Sequence, residues 1–422
     1  MEKLRAQLSL TRLKGLFKDT FLRNSFYIFL SSITSSGFGL LFWMVAAWYY
    51  DIESVGVAST LISTSGLIVA LGMLGMDQSM IRYFPVLDRS MILGSVVKIA
   101  APLAMAIGAV FILGSSLWMP DLVASDIVHI LFILLIGATS VAYIAHTAFV
   151  GSRNAQNGWY QNMILGVRVL LLIAFVTLQD LGILIAMLVS YAITLPVSGL
   201  LLFRSGLRLG TIDWSFLRKA FWFSTGNYVA TILNMLPTMA MPILVFSLIG
   251  AAEAAIYYMA LSIAAIVFLI PATFNTSLYV EGSHGESLTK TFRRSLTITY
   301  AILVPCIIIF MLLGPFILGI LGAQYRSEGL GILNILLVSG IFFTLFQQVS
   351  TYLKVKEHIR GVVLMGAVNS GSFLALSVIL ASAIGKDGIG YSWVFSFALG
   401  ALVGIAYMRY TRGRSGPLPV NP

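Results

Sequence analysis

Residues 22–60 read LRNSFYIFLSSITSSGFGLLFWMVAAWYYDIESVGVAST, and they set a pattern that recurs along the chain. A basic and polar start leads into a long apolar run. An acidic turn at 51–53 then precedes a second run rich in Gly, Ala and Ser. A helix needs about 20 apolar residues to cross about 30 Å of hydrocarbon. Residues 25–48 and 55–76 therefore predict two membrane spans.

The composition extends this pattern to all 422 residues. The chain is 59% apolar and 10% charged, with a mean hydropathy of +0.95, whereas a soluble domain is about half apolar and about a quarter charged. A soluble enzyme, a disordered chain and a nucleic-acid-binding domain are thereby excluded. The apolar runs predict twelve helical spans at 25–48, 55–76, 92–117, 128–150, 160–178, 182–203, 221–249, 254–278, 296–321, 330–352, 361–383 and 389–408.

The basic residues predict the orientation. With the N-terminus inside, 24 of the 26 Lys and Arg residues fall on the inner side, and only Arg326 and Lys386 fall outside. Acidic residues divide evenly between the two sides. This asymmetry is typical of a multi-pass plasma (inner) membrane protein with both termini in the cytoplasm. It also accounts for the net charge of +10 through contact with membrane lipids, so no nucleic-acid partner is expected.

The two ends of the chain are polar. Residues 1–24 form a basic amphipathic segment, in which leucines and phenylalanines recur at near-helical spacing among Lys and Arg. We predict a helix over 3–22 lying on the inner membrane surface, with a disordered basic tail as the alternative. No cleavable signal peptide is expected. Residues 411–422 predict a cytoplasmic tail.

An internal repeat relates the two halves of the sequence. FLRNSFYIFL at 21–30 resembles FLRKAFWFST at 216–225, and acidic turns follow at Glu53 and Glu253. Basic turns near 151 and 354, and short outer turns near 179 and 386, match in the same order. We predict two six-helix lobes, 25–207 and 208–410, related by a pseudo-twofold axis along the membrane normal. Such parallel repeats commonly alternate access to a path between lobes.

Four segments carry a resemblance to a known family. They are residues 22–60, LGMLGMDQSMIRYFP at 71–85, AFVGSRNAQ at 148–156 and KVKEHIRGVVLMGAVNS at 354–370. The order and spacing of these four segments resemble those of the polysaccharide exporters and O-antigen-type flippases, which belong to the multidrug/oligosaccharidyl-lipid/polysaccharide flippase superfamily. With twelve predicted spans, we expect the chain to be without the two extra C-terminal helices of the lipid II type within that superfamily, which makes a peptidoglycan precursor a weaker expectation.

The resemblance implies a flippase that moves a lipid-linked oligosaccharide or polysaccharide precursor from the cytoplasmic to the outer leaflet. Its partners would be a polyprenyl-linked glycan, membrane lipids and glycan assembly enzymes, and a monomer is expected. Two alternatives remain. One is an ion-coupled multidrug extruder of the same superfamily, and the other is a membrane-embedded glycan polymerase.

A flippase must carry a phosphate group across a low-dielectric region, where cations offset the cost of an isolated anion. The candidates are basic residues at or inside the inner ends of spans. Lys98 and Arg168 rank first because they lie about two turns inside their spans. The others are Arg23, Arg82, Arg153 and Arg218. The alternative for each is a topology charge that reaches the lipid headgroups.

A sugar path needs hydrogen-bonding groups. Asn227 and Asn234 lie seven residues apart, on one face of a helix that also holds two prolines. Asn24 and Asn369 complete this set, and interhelical hydrogen bonding is the alternative role for all four. Asp77 is the candidate for ion coupling, against a local or cytoplasm-facing role.

No pattern predicts enzyme chemistry. The four histidines are scattered, Cys306 is the single cysteine, and no Gly-rich phosphate loop precedes a Lys-Ser/Thr pair. The outer loops are also too short for a catalytic lobe. We therefore expect no enzyme activity, no metal and no cofactor.

Overall fold

The computed structural model describes residues 20–119, 122, 125–283 and 288–412, and within these ranges every regular element is a helix. The all-α prediction is confirmed. Residues 3–19 of the predicted surface helix, and the predicted tail from 413 onward, lie outside the described residues. The helices are α1 (Thr20–Tyr49), α2 (Ile52–Met73), α3 (Met76–Tyr83), α4 (Arg89–Trp118), α5 (Asp126–Gly151), α6 (Ala155–Leu165), α7 (Arg168–Ala174), a 3₁₀ helix (Val176–Leu178), α8 (Asp180–Arg204), α9 (Trp214–Leu248), α10 (Ala251–Ser283), α11 (Leu288–Leu321), α12 (Ala323–Val355), α13 (Ile359–Ile384) and α14 (Lys386–Arg412).

Membrane-spanning length and apolarity are met by eleven helices within the described ranges. They are α1, α2, α4, α5 and all helices from α8 to α14. Each coincides with one of the predicted spans, and their mean hydropathy runs from 1.6 to 2.8. A helix satisfies its own backbone hydrogen bonds, which is the condition for crossing hydrocarbon. The chain is therefore a multi-pass membrane protein.

The fifth predicted span, 160–178, is not one helix. It is divided into α6, α7 and the 3₁₀ helix. Around the division the N–H groups of Gly166, Val167, Val169 and Leu170 bond to carbonyls three residues earlier, at 3.0 to 3.1 Å. Such i−3 bonds overwind the chain into a tighter, longer-rising helix. The apolar pattern did not reveal this interruption. The polar residues of the region lie within α6, whereas the sequence around and after the break at 166–167 is mostly apolar and reads as a continuous span.

Backbone geometry repeats at matched turns in the two halves. Arg153 and Glu357, each two residues beyond a long helix, both adopt left-handed conformation with φ of 59° and 58°. In both turns the next residue bonds to a carbonyl five residues earlier, at 2.8 and 2.9 Å, which is the Schellman arrangement. The sequence similarity of these two turns thus corresponds to a shared backbone structure.

The outer turns repeat in the same way. Gln179 and Gly385 both have positive φ, 50° and 64°, immediately before a helix. A Cβ built on Gly182 would lie 2.2 Å from the carbonyl oxygen of Phe175, and one on Gly388 would lie 2.2 Å from that of Leu380. Glycine is required at both places because the helix start meets the backbone of the preceding segment.

The left-handed turn at Glu357 predicts a stabilising substitution. We expect Glu357→Gly to raise the free energy of unfolding by about 1 kcal/mol, because glycine lacks the Cβ that penalises positive φ. Thermal unfolding in detergent measures the change. Glu357→Ala is the matched control, since it removes the same carboxylate but keeps the Cβ. Equal stability of the two variants would contradict the backbone explanation.

By its internal contacts the chain divides into two units. Unit 1 contains residues 1–50 and 65–225, and unit 2 contains 51–64 and 226–422. Helices α2 and α9 thus contribute residues to both units. The predicted lobe boundary at 207 stays a prediction.

Unit 2 is built around α12, which packs against α10, α11, α13 and α14. Phe343, Phe346 and Trp393 surround the ring of Phe397, with centroid distances of 4.9 to 5.2 Å and edge-on geometry. Such aromatic clusters combine large apolar contact with a favourable quadrupole arrangement. This cluster fixes the helix core of the unit.

An ion cluster joins the starts of three helices in unit 2. Lys386 Nζ lies 2.7 Å from Glu253 Oε2 and 3.3 Å from Glu328 Oε2. A lysine in the first turn of α14 opposes the helix dipole. The two carboxylates, from α10 and α12, compensate that unfavourable placement and tie the three helix ends together.

Candidate functional site

The candidate site lies in unit 1, where α1 packs along α6 and α7. We call these contacts the α1 interface. Asn24 Oδ1 accepts the N–H of Ala155 at 2.9 Å, which satisfies one of the free donors at the start of α6. Fourteen residues further along α1, the ring of Phe38 would lie only 2.6 Å from a Cβ at Gly166. The two helices therefore run close together over this length.

Polar side chains bond across the middle of the α1 interface. Asn162 Nδ2 donates to Ser31 Oγ at 2.8 Å and to the Ser31 carbonyl at 3.3 Å. Ser31 Oγ also lies 3.2 Å from His146 Nε2 on α5. Trp159 Nε1 donates to Thr34 Oγ1 at 3.0 Å. We call Ser31, His146 and Asn162 the Ser31 network.

Arg168 lies at the far end of the α1 interface, within the overwound segment and at the first residue of α7. Its guanidinium carbon lies 5.4 Å from the ring centroid of Phe42, and its Nη1 lies 3.7 Å from Met187 Sδ on α8. The side chain is partly buried between these groups. A cation within a membrane segment is costly and tends to mark a substrate or ion pathway. Arg168 is thus a candidate for binding an anion.

Lys98 has a different setting. Its side chain is exposed, and Nζ donates to the Gly210 carbonyl at 2.8 Å. Gly210 N–H bonds to the Ser90 carbonyl at 3.0 Å, and Asp213 N–H bonds to Ser95 Oγ at 2.8 Å. Lys98 therefore helps to fasten the segment between α8 and α9 along α4.

The four other predicted cations are exposed near helix ends or turns. Arg23 and Arg218 lie near the starts of α1 and α9, Arg82 lies near the end of α3, and Arg153 lies in the left-handed turn before α6. Positions of this kind suit contact with lipid headgroups. These four arginines belong to four different helices or turns of unit 1.

Asp77 lies in the short helix α3, after a break in which Leu74 and Gly75 have φ of 48° and 73°. Tyr143 on α5 donates its hydroxyl to Asp77 Oδ2 at 3.0 Å. The carboxylate is therefore held by a neutral donor from a neighbouring helix. Sequence reasoning did not select Tyr143, because a tyrosine in an apolar run carries no local signal of a carboxylate partner.

Two predicted amides lie in adjoining parts of unit 2. Asn234 Nδ2 donates to the Ala230 carbonyl at 2.5 Å, and its Oδ1 is buried without a hydrogen-bond partner. Asn369 is fully buried, and both of its amide atoms lack a partner. Ser370 Oγ donates to the Leu233 carbonyl, which joins α9 to α13 beside both amides. Asn227 belongs to α9, but its side chain lies outside the described part of the chain.

The Ser31 network was missed by sequence reasoning, although its spacing carried a signal. Ser31 and Thr34 are three residues apart, as are Trp159 and Asn162, so each pair shares one helix face. Two polar pairs of this spacing within apolar spans indicate a bonded helix contact. Which two helices meet is not encoded in the spacing.

No family model matches the sequence, and no curated protein matches it. Solved structures do share its fold. A multidrug resistance MATE family transporter of the MOP superfamily, in an inward-facing conformation, has a TM-score of 0.70 and 13% identity over 92% of this chain and 100% of its own. The lipid II flippase MurJ, in an inward closed conformation, has a TM-score of 0.67 and 13% identity over 90% of this chain and 86% of its own. An outward-facing MATE structure has a TM-score of 0.62 and 12% identity. These likenesses confirm the predicted fold class.

The contact of Asn24 with α6 predicts a loss of stability. We expect Asn24→Ala to lower the free energy of unfolding by about 1 kcal/mol, because the first turn of α6 loses its acceptor. Asn24→Asp keeps an acceptor and should stay close to the parent in a thermal unfolding experiment. If the alanine variant unfolds at the parent temperature, the cap contributes nothing and Asn24 is available for another role.

Proposed function

We propose that this protein is a flippase that moves a lipid-linked oligosaccharide or polysaccharide precursor from the cytoplasmic to the outer leaflet. The observation that carries the proposal is Arg168, a cation held between Phe42 and Met187 where a membrane span is interrupted. The fold supports it, since solved structures of this fold include a lipid II flippase and multidrug transporters. The protein would act in the plasma (inner) membrane as a monomer, by alternating access.

The chemistry of the substrate explains the need for such a cation. A phosphate or pyrophosphate cannot enter a low-dielectric region unpaired. Arginine offers a planar set of donors that can bind two phosphate oxygens at once. Arg168 would hold the phosphate. The amides Asn234 and Asn369, which belong to unit 2, stay candidates for hydrogen bonds to sugar hydroxyls. Membrane potential would assist outward movement of the anion by about 2.3 kcal/mol per charge per 100 mV.

The proposed partners follow from this substrate class. The polyprenyl tail of the glycan would stay in lipid while the headgroup passes the protein. The enzymes that assemble the glycan are candidate partners on the cytoplasmic side. The exposed arginines Arg23, Arg82, Arg153 and Arg218 would meet anionic headgroups before the phosphate reaches Arg168.

The second candidate function is an ion-coupled multidrug extruder on the same fold. The bond between Tyr143 and Asp77 favours it, because a carboxylate within a transporter could bind a cationic drug or a coupling ion. The likeness in fold to a multidrug resistance transporter is at least as close as that to the lipid II flippase. The two functions differ in the charge of the substrate, and therefore in whether Arg168 or Asp77 is essential.

Neutralising Arg168 tests the assignment of the anion site. We expect Arg168→Gln to lower the rate of glycolipid translocation about tenfold or more, since a charge-assisted hydrogen bond contributes about 1.5–3 kcal/mol. Arg168→Lys should retain part of the rate. Arg204→Gln, an exposed arginine at the end of α8, is the matched control. Translocation at the parent rate in Arg168→Gln protein that inserts normally would refute the assignment.

The substrate class is tested in cells depleted of the protein. We expect full-length lipid-linked glycan to build up on the cytoplasmic side, shielded from an externally added glycosidase or lectin. Normal outward exposure would instead support drug extrusion, and exposed but unpolymerised units would support a glycan polymerase. Re-expression of the parent chain, but not of Arg168→Gln, should restore exposure.

A further inference from the structure

The Ser31 network contains a histidine that the proposed substrate path does not use. His146 lies on α5, and its ring reaches Ser31 on α1 through the 3.2 Å contact of Nε2. A Cβ at Gly158 would lie 3.2 Å from His146 Cδ2 and 3.3 Å from Nε2, so the ring edge lies against the backbone of α6. The imidazole is thus wedged at the meeting point of three helices.

The hydrogen bonds around this ring can accommodate either charge state. A hydroxyl group can accept two hydrogen bonds and donate one. When Nε2 is unprotonated, Ser31 Oγ accepts from Asn162 and donates to the ring. When Nε2 carries a proton, Ser31 Oγ accepts from both Asn162 and His146, and its own hydrogen turns to another acceptor. When the neutral ring carries its proton on Nδ1, binding of a second proton at Nε2 therefore changes the bonding between α1 and α5 without leaving Nε2 unpaired.

The surrounding helices supply other charged and titratable groups. Those whose bonds are described are engaged elsewhere: Asp77 with Tyr143, Lys98 with Gly210, Arg89 with the Phe84 carbonyl, and Tyr160 with Gln156. The other described titratable or charged groups on α1, α3, α5, α7 and α8, some of which also make contacts of their own, are Arg23, Tyr27, Tyr49, Arg82, Tyr83, Asp126, His129, Arg168, Tyr191 and Arg204. Among the described residues the hydrogen-bond partner of His146 is Ser31.

We infer that His146 is a proton-binding site, and that protonation of its ring couples a proton gradient to transport. The inference rests on the proposed function for its transport step, but proton binding itself does not. Imidazole is the side chain whose ordinary titration range falls between pH 5 and 8. Protons flow inward down the gradient of a living cell, so they can drive export only if they enter as substrate leaves. His146 would bind its proton from the outer side and release it to the cytoplasm in the return step.

Proton binding is measured directly on protein whose four histidines carry ¹⁵N in the ring. Comparison of the parent with His146→Gln assigns the His146 signal. We expect the ring to pass from neutral to cationic between pH 8 and 4, and we expect Ser31→Ala to shift the midpoint by removing the hydroxyl partner. A His146 ring that stays neutral throughout this range would overturn the inference.

Coupling is measured in proteoliposomes that contain a fluorescent lipid-linked oligosaccharide, with and without an imposed pH difference. If one proton is coupled to each transported molecule, a difference of one pH unit changes the equilibrium ratio of glycolipid between the two leaflets about tenfold. We expect the parent to translocate faster with the gradient, and His146→Gln to translocate at one rate in both conditions. His129→Gln, on the same helix but beside Asp126 at its start, should keep the response to the gradient.

The titration and the proteoliposome assay distinguish a wrong substrate from a wrong coupling role for His146. Parent protein that moves no glycolipid, yet shows the His146 titration, would refute the proposed substrate and leave the proton site standing. If the parent moves glycolipid faster with the gradient and His146→Gln shows the same increase, the coupling role is refuted. If His146→Gln proves unstable in detergent, the titration of His146 in the parent and in Ser31→Ala still tests proton binding, and an unshifted midpoint in Ser31→Ala would contradict the role of the hydroxyl.

Discussion

The structure depends on one constraint, which is that hydrocarbon offers no partner for a backbone N–H or carbonyl. Long helices meet it by bonding internally, and they make up the spans. The places where helices stop show the same constraint at work. In the turns at Arg153 and Glu357, Schellman bonds pair the last carbonyls. In the fifth span, the i−3 bonds at 166–170 keep the chain bonded through its interruption.

The interruption also explains a difference between the halves. The stretch from Arg153 to Gln179 is two residues shorter than the matching stretch from Glu357 to Gly385. Each stretch nevertheless runs from a left-handed inner turn to an outer turn of positive φ. Two helical residues supply about 3 Å of length. An overwound helix rises about 2.0 Å per residue rather than 1.5 Å, so a few overwound residues make up that deficit. The overwinding in the first half, which α13 lacks, is what brings Arg168 to the start of a new helix.

Much of the fold could be predicted because it follows from one-dimensional patterns. Apolar length gives the spans, and the matched turns give the repeat. The candidate site was harder to predict, because the role of each side chain depends on contacts with helices that are distant in the sequence. Arg168 was selected from its depth in an apolar run, but its contacts with Phe42 and Met187 depend on which helices pack together. Lys98 had the same depth and instead bonds to Gly210. Asn24 was selected as an amide near a span, and it caps α6.

The contacts of α1 follow a single face of that helix, and this links the parts of unit 1 to one another. Ser31, Phe38 and Phe42 recur at intervals of seven and four residues, which is the spacing of one helix face. Tyr50, the residue directly after α1, adds a further contact, since its hydroxyl donates to the Leu172 carbonyl at 2.7 Å. From Ser31 to Phe42 a rigid helix covers about 16 Å. A change in bonding at His146 would therefore act on the same helix that carries the aromatic ring against Arg168. Coupling in this unit needs no chain of intermediate side chains, because a shift or rotation of α1 moves both contacts together.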